Sequence, residues 1–122
     1  RFSIDEIDSM DGFEFERLVS DLFIKLGFSS EVTKQSGDYG IDVIAEKNDL
    51  KFGVQVKRSN GPISISAVQE IVAGLKYYGC DKGIIVTNSV FTKSATELAR
   101  KNLIQLWDRQ ILMEKIEEAF DN

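Results

Sequence analysis

Three side chains near the middle of this sequence are of types that can act together. In Phe52-Gly53-Val54-Gln55-Val56-Lys57, strand alternation sends Phe52, Val54 and Val56 one way and Gln55 and Lys57 the other. In Ile41-Asp42-Val43-Ile44-Ala45, an aspartate interrupts a second apolar run. Burying a lone carboxylate is costly unless it is paired or metal-bound. If the two runs pair as a hairpin, Asp42 comes near Lys57. A carboxylate, an amide oxygen and an ammonium then meet at one spot. A strand with one wet face accounts for Gln55 and Lys57 more simply; the aspartate on the neighbouring run favours a site.

Composition narrows the chemistry. The 122 residues include no histidine and one cysteine, Cys80. That excludes Ser-His and Cys-His nucleophiles, a histidine base, histidine-ligated zinc, an internal disulfide and a cysteine-cluster metal site. The length is that of one domain, and 43% hydrophobic with 29% charged residues is an ordinary globular balance. No apolar run approaches the ~20 residues needed to span a bilayer, and no secretion signal opens the chain, so no membrane partner is expected. The lone thiol suits a cytoplasmic location. A start at Arg1 rather than Met leads us to expect a domain taken from a longer protein.

Net charge −5 argues at first against nucleic acid. The charge is unevenly spread: residues 1–16 carry −5 and 111–122 carry −3, leaving +3 over 17–110. The acidity is terminal, and it excludes little.

The elements that must hold the three side chains follow from periodicity. Phe15, Leu18, Val19, Leu22, Phe23 and Leu26 repeat at helical spacing, with Asp11 and Glu14 as a capping box and Gly27 as the stop. Strand-like runs at 28–35, 41–46 and 52–58 follow, separated by Ser36-Gly37-Asp38-Tyr39-Gly40 and by 47–51. A helix is expected from about Ser66 to Tyr78 on the face Val68, Ile71, Val72 and Leu75. Gly83 to Thr87 reads as a strand buried on both sides. Thr92 caps a helix to about Lys101, Leu103–Trp107 is a last strand, and Asp108 caps a final helix. The order α-β-β-β-α-β-α-β-α implies an α/β fold with a mixed sheet flanked by helices.

Asp42, twelve intervening residues and Gln55-Val56-Lys57 resemble the D…(D/E/Q)xK signature of the restriction-endonuclease-like, or PD-(D/E)xK, nucleases. More narrowly, the chain resembles the catalytic domain of Mrr-like restriction endonucleases. Phe15-Glu16, the turn Gly37-Asp38-Tyr39-Gly40-Ile41-Asp42, the strand end Val86-Thr87-Asn88 and the helix start Phe91-Thr92-Lys93-Ser94-Ala95 fit that pattern, which covers about 11–116. Ile41 stands where a proline often precedes the aspartate, and Gln55 where most of the superfamily carries an acid.

The resemblance implies a restriction-endonuclease-like fold and a Mg²⁺-dependent endonuclease acting on foreign or modified double-stranded DNA, with Mn²⁺ as a possible substitute. Without histidine, a divalent cation on oxygen ligands is the natural way to activate water and stabilise phosphate charge. Asp42 would be the principal ligand, with Glu16, the Gln55 side-chain oxygen and the Val56 carbonyl. Lys57 would orient the water and stabilise phosphate charge, since flanking carboxylates keep it charged. Helix geometry alone does not choose between Glu14 and Glu16; the Phe-Glu pattern does. Asp38 is expected as a turn residue.

Lys34, Arg58, Asn60 and Lys76 are candidate DNA contacts, with Asn60-Gly61 a flexible loop beside the site. Gln69, Thr87 and Ser94 are candidate supporting groups. Trp107 and the phenylalanines are assigned to the core, and Cys80 to an inert thiol. Tyr77-Tyr78 either close the helix end or stack on bases. Such domains are commonly joined to a separate recognition domain, and cutting two strands calls for a homodimer or larger assembly. The terminal acidity adds an expectation of weak DNA affinity by this domain alone. The rival readings are a structure-specific, Holliday-junction-like nuclease and a non-catalytic binding module on the same fold.

Overall fold

The computed structural model describes residues 3–33 and 39–120. Lys34, Asp38 and the end of the first expected strand lie outside the described residues. The elements are α1 (Ile4–Asp8), α2 (Gly12–Lys25), β1 (Ser29–Val32), β2 (Val43–Lys47), β3 (Leu50–Lys57), α3 (Ile65–Tyr78), β4 (Lys82–Thr87), α4 (Lys93–Lys101), β5 (Ile104–Trp107) and α5 (Arg109–Phe120). The expected order is present, preceded by the short α1. That helix closes its own capping box between Ser3 and Glu6 and buries Ile7.

The five strands lie in the order β1-β2-β3-β4-β5. β1, β2 and β3 pair antiparallel, while β3, β4 and β5 pair parallel. The link between β2 and β3 is tighter than the five-residue turn expected. Lys47 pairs with Leu50 across Asn48 and Asp49, both at positive φ (55° and 65°). Asn and Asp tolerate this conformation better than other residues with a Cβ, and the primed two-residue turn matches strand twist.

Helices cover both faces. On one side Phe15, Leu18, Val19, Leu22 and Phe23 of α2 and Leu112 and Ile116 of α5 pack on Val54, Val56, Val86 and Trp107. The Trp107 ring stacks on Phe23 at 5.1 Å. On the other, α3 and α4 bring Val68, Ile71, Ala95 and Ala99 against Ile41, Ile85 and Ile104. β4 feeds Ile84 and Val86 to the first cluster and Ile85 to the second, as an apolar run buried on both faces must. Phe13 departs from the expected all-core phenylalanines: it is 62% exposed at the start of α2. No helix among the described residues is long and apolar enough to cross a membrane.

Two glycines set how closely α3 approaches the chain that leads into β2. Gly40 sits at φ +68°, and a Cβ there would stand 2.7 Å from the Glu70 carbonyl oxygen. A Cβ at Gly74 would run into the Tyr39 carbonyl oxygen. The absence of both side chains lets the helix backbone rest on the segment just before Asp42.

Candidate active site

The candidate site lies at the C-terminal end of β3, between a helix from each layer. The register pairs Val43 with Val54, which puts Asp42, one residue before β2, across from Gln55. The buried Asp42 carboxylate accepts the Val56 N–H through Oδ2 at 2.8 Å. Strand alternation acts as the sequence predicts. Val54 and Val56 enter the α2–α5 core, and Gln55 and Lys57 leave on the opposite face.

A cavity of about 220 Å³ is lined by Glu16, Gly40, Asp42, Gln55, Val56, Lys57 and Glu70. The structure therefore brings together Glu16, Asp42, Gln55, Val56 and Lys57. It also separates the two helix-start glutamates. Glu14 is engaged in the cap, donating its N–H to Asp11 Oδ1 at 2.8 Å and accepting the Asp11 N–H at 3.1 Å. Glu16, half-buried, lines the cavity.

The electrostatics favour a positive occupant. Burial pushes the Asp42 carboxyl above its ordinary range, opposed by the Val56 N–H and the Lys57 charge. Glu16 is pushed up to about 6, first by burial and then by the Asp42 charge. Two carboxylates thus resist ionising side by side, and a cation would relieve both. Gln55 is 1% exposed, and its Oε1 is a buried acceptor without a hydrogen-bond partner among the described residues. Such an atom costs stability unless something else satisfies it. Among the described residues no three carboxylate, thiolate or imidazole groups gather closely enough to hold a metal alone. Two carboxylates with an amide and a main-chain oxygen nonetheless suit Mg²⁺, which keeps several waters and takes further oxygens from phosphates.

The supporting residues divide. Thr87 is buried, and its hydroxyl donates to the Lys57 carbonyl at 2.6 Å, tying the end of β3 to β4. Gln69 is exposed on α3 and does not line the cavity. Ser94 is exposed in the first turn of α4, with its hydroxyl 3.3 Å from that of Thr92. Arg58 turns away, donating to the Asp8 carbonyl and to Asn60 Oδ1, each at 3.2 Å. The loop expected to be flexible is pinned: Ser59 Oγ donates to the Gly61 carbonyl at 2.8 Å, and Asn88 accepts the Ser59 N–H at 2.8 Å. Asn88 and Arg109 both bind Asp8, whose carboxyl these bonds hold below the usual range. Lys76 is exposed in the last turn of α3, away from the cavity.

Sequence reasoning missed Glu70. Its Oε1 lies 3.2 Å from Lys57 Nζ and accepts Gln55 Nε2 at 3.3 Å. The small residues on α3's buried face, Ala67 and Gly74, were the signal that the helix turns this position toward β3.

Likeness to solved structures agrees with this architecture. The DNA modification-dependent restriction endonuclease AspBHI superposes with TM-score 0.75 at 18% identity, over 95% of this chain and 33% of its own. The MspJI restriction endonuclease, solved with a 27-mer oligonucleotide, gives 0.60 at 19% identity, over 88% and 28%. The Holliday junction resolvase Hjc of Archaeoglobus fulgidus gives 0.50 at 20% identity, over 62% of each chain. At such identities the likeness shows the fold, and this chain spans a third or less of the two restriction enzymes. No curated protein matches the chain in sequence. The restriction-endonuclease family defined by the Mrr catalytic domain matches residues 7–116, nearly the whole length, and the chain belongs to that family.

Proposed function

We propose that this chain is the catalytic domain of a divalent-cation-dependent DNA endonuclease of the restriction type, acting on foreign or modified double-stranded DNA in the cytoplasm. The observation that carries the proposal is the convergence of Glu16, Asp42, Gln55 and Lys57 on one cavity, with the buried Gln55 oxygen unpartnered. A scaffold used only for binding has no reason to gather them.

Asp42, Glu16, Gln55 Oε1 and the Val56 carbonyl would hold Mg²⁺, or Mn²⁺ in its place. Bound there, the cation would lower the pKa of a water and stabilise charge on the phosphate. The chain's own part is to set the geometry. The Val56 N–H fixes the Asp42 carboxylate, and Thr87 holds the main chain of Lys57. Lys57, paired with Glu70 at 3.2 Å, would offer its ammonium to the attacked phosphate and to the incoming water. Family membership and the short span of this chain within AspBHI and MspJI support a separate recognition domain elsewhere in the protein. Two strands cut call for two copies of the site.

The likeness to Hjc favours one second reading, a nuclease specific for branched DNA. Supercoiled plasmid and a synthetic four-way junction, each incubated with Mg²⁺, Mn²⁺ or EDTA, separate the two. We expect the plasmid to be nicked or linearised with either cation and untouched in EDTA. Preferential cutting of the junction would replace the restriction reading with the second, and cleavage persisting in EDTA would overturn both.

A further inference from the structure

Gln55 presents two chemically different ends within a buried amide. Its Nε2 donates to Glu70 Oε1 at 3.3 Å, while its own Oε1 is buried and has no partner among the described residues. A carboxylate only accepts, so turning the amide over would set oxygen against oxygen. Glu70 thereby selects one orientation and leaves the amide oxygen for an occupant of the cavity. The same Glu70 oxygen lies 3.2 Å from Lys57 Nζ, so one carboxylate controls two neighbouring residues on the β3 face.

The placement of Glu70 is built into the backbone. Its carbonyl lies against Gly40, and the next turn of α3 lies against Tyr39 through Gly74. Both contacts are main chain on main chain, two or three residues before Asp42. The distance from α3 to the Asp42 strand is therefore fixed by atoms that side-chain rotation cannot move.

We propose that Glu70 is a positioning residue of this site: its carboxylate turns the Gln55 amide so that Oε1 faces the bound cation, and it holds the Lys57 ammonium beside it. The inference rests on the cation-dependent reading above. Groups that orient a metal ligand typically change affinity by about 10–100-fold when removed.

Mn²⁺ binding to the full chain, measured by titration calorimetry without DNA, tests this. Glu70→Ala is expected to weaken Mn²⁺ binding about tenfold. Glu70→Gln keeps an oxygen that can accept the Gln55 Nε2 bond but adds an amide donor that also permits the turned-over arrangement, so it is expected to lose less affinity than Glu70→Ala. In a Gln55→Ala background, Glu70→Ala is expected to add nothing, because the two act through one group. The Glu70 side chain is half exposed, so these variants are expected to melt close to wild type. Wild-type affinity in Glu70→Ala would overturn the inference. So would equal losses in the Ala and Gln variants, which would make Glu70 only a negative charge, or additive losses with Gln55→Ala. Failure of the wild type itself to bind Mn²⁺ would instead overturn the cation-dependent reading, and this inference with it.

Discussion

Asp42→Asn is expected to lower DNA cleavage by about a thousandfold or more while raising the stability of the metal-free protein. The substitution preserves shape, and an amide oxygen can still accept the Val56 N–H. What disappears is the charge on the principal cation ligand. A thousandfold corresponds to about 4 kcal/mol at the transition state, within what a metal ion supplies. The stability change has the opposite sign because the charge is costly in the empty site. Asp42 and Glu16 both have carboxyl pKa values raised in the folded chain, from ordinary values of 3.8 and 4.5, Glu16 to about 6.

A raised acid favours the fold while protonated. Its contribution is complete below the unfolded value and is lost as pH rises through the folded value. In EDTA, wild-type Tm is therefore expected to fall between about pH 4.5 and 7, and Asp42→Asn to flatten that fall. Asp8 and Glu6 shift the other way, so their stabilisation is lost only as pH drops below that window. Thermal melts in EDTA at several pH values, with plasmid cleavage in Mg²⁺, check both halves. A variant that cuts normally, or that melts well below wild type at pH 7, contradicts the assignment.

Lys57→Met is expected to lower cleavage by about 100–1000-fold, the usual effect of removing one group that stabilises developing charge. Mn²⁺ affinity should be retained, because an ammonium is not a ligand. The pattern differs from that of Asp42→Asn, which loses both. Lys57 and Glu70 are both substantially exposed, and such ion pairs contribute about 0–1 kcal/mol, so Tm should change little. Calorimetry with Mn²⁺ beside single-turnover cleavage reads the split. Loss of cation binding in Lys57→Met would make the lysine a structural support for the ligands.

The part of the site that was legible in the sequence is the part that lies on strands. Period-two alternation in Phe52–Lys57 assigns each side chain to a face without knowledge of the fold. An aspartate inside an apolar run signals an exception that needs a partner. On α2, helix geometry left Glu14 and Glu16 open and only the resemblance's Phe-Glu pattern favoured Glu16; the fold puts Glu14 in the Asp11 cap and Glu16 on the cavity.

Helix α3 was harder. Its large apolar residues Val68, Ile71, Val72 and Leu75 imply a stripe that brings Gln69 nearer the core than Glu70. The buried set is Ala67, Val68, Ile71 and Gly74, and Val72 is 38% exposed. Counting the small residues turns the stripe by roughly 50° at about 100° per residue, leaving Glu70 on its flank and Gln69 facing solvent. Hydrophobic periodicity underweights alanine and glycine, and here they mark the close approach. The same blindness hid α1, where one buried side chain, Ile7, gives no period. For Arg58 and Asn60, candidate DNA contacts by sequence, the bond from Arg58 to the Asp8 carbonyl fifty positions earlier is invisible to local patterns.

The location of the cation is the most direct test of the account. Crystals grown with Mn²⁺, with data collected at a wavelength where manganese scatters anomalously, would place it. We expect a peak in the cavity at roughly 2–2.5 Å from an Asp42 carboxylate oxygen, from Gln55 Oε1 and from the Val56 carbonyl. An empty cavity at saturating Mn²⁺, or an ion held without Asp42 and Gln55, would contradict it.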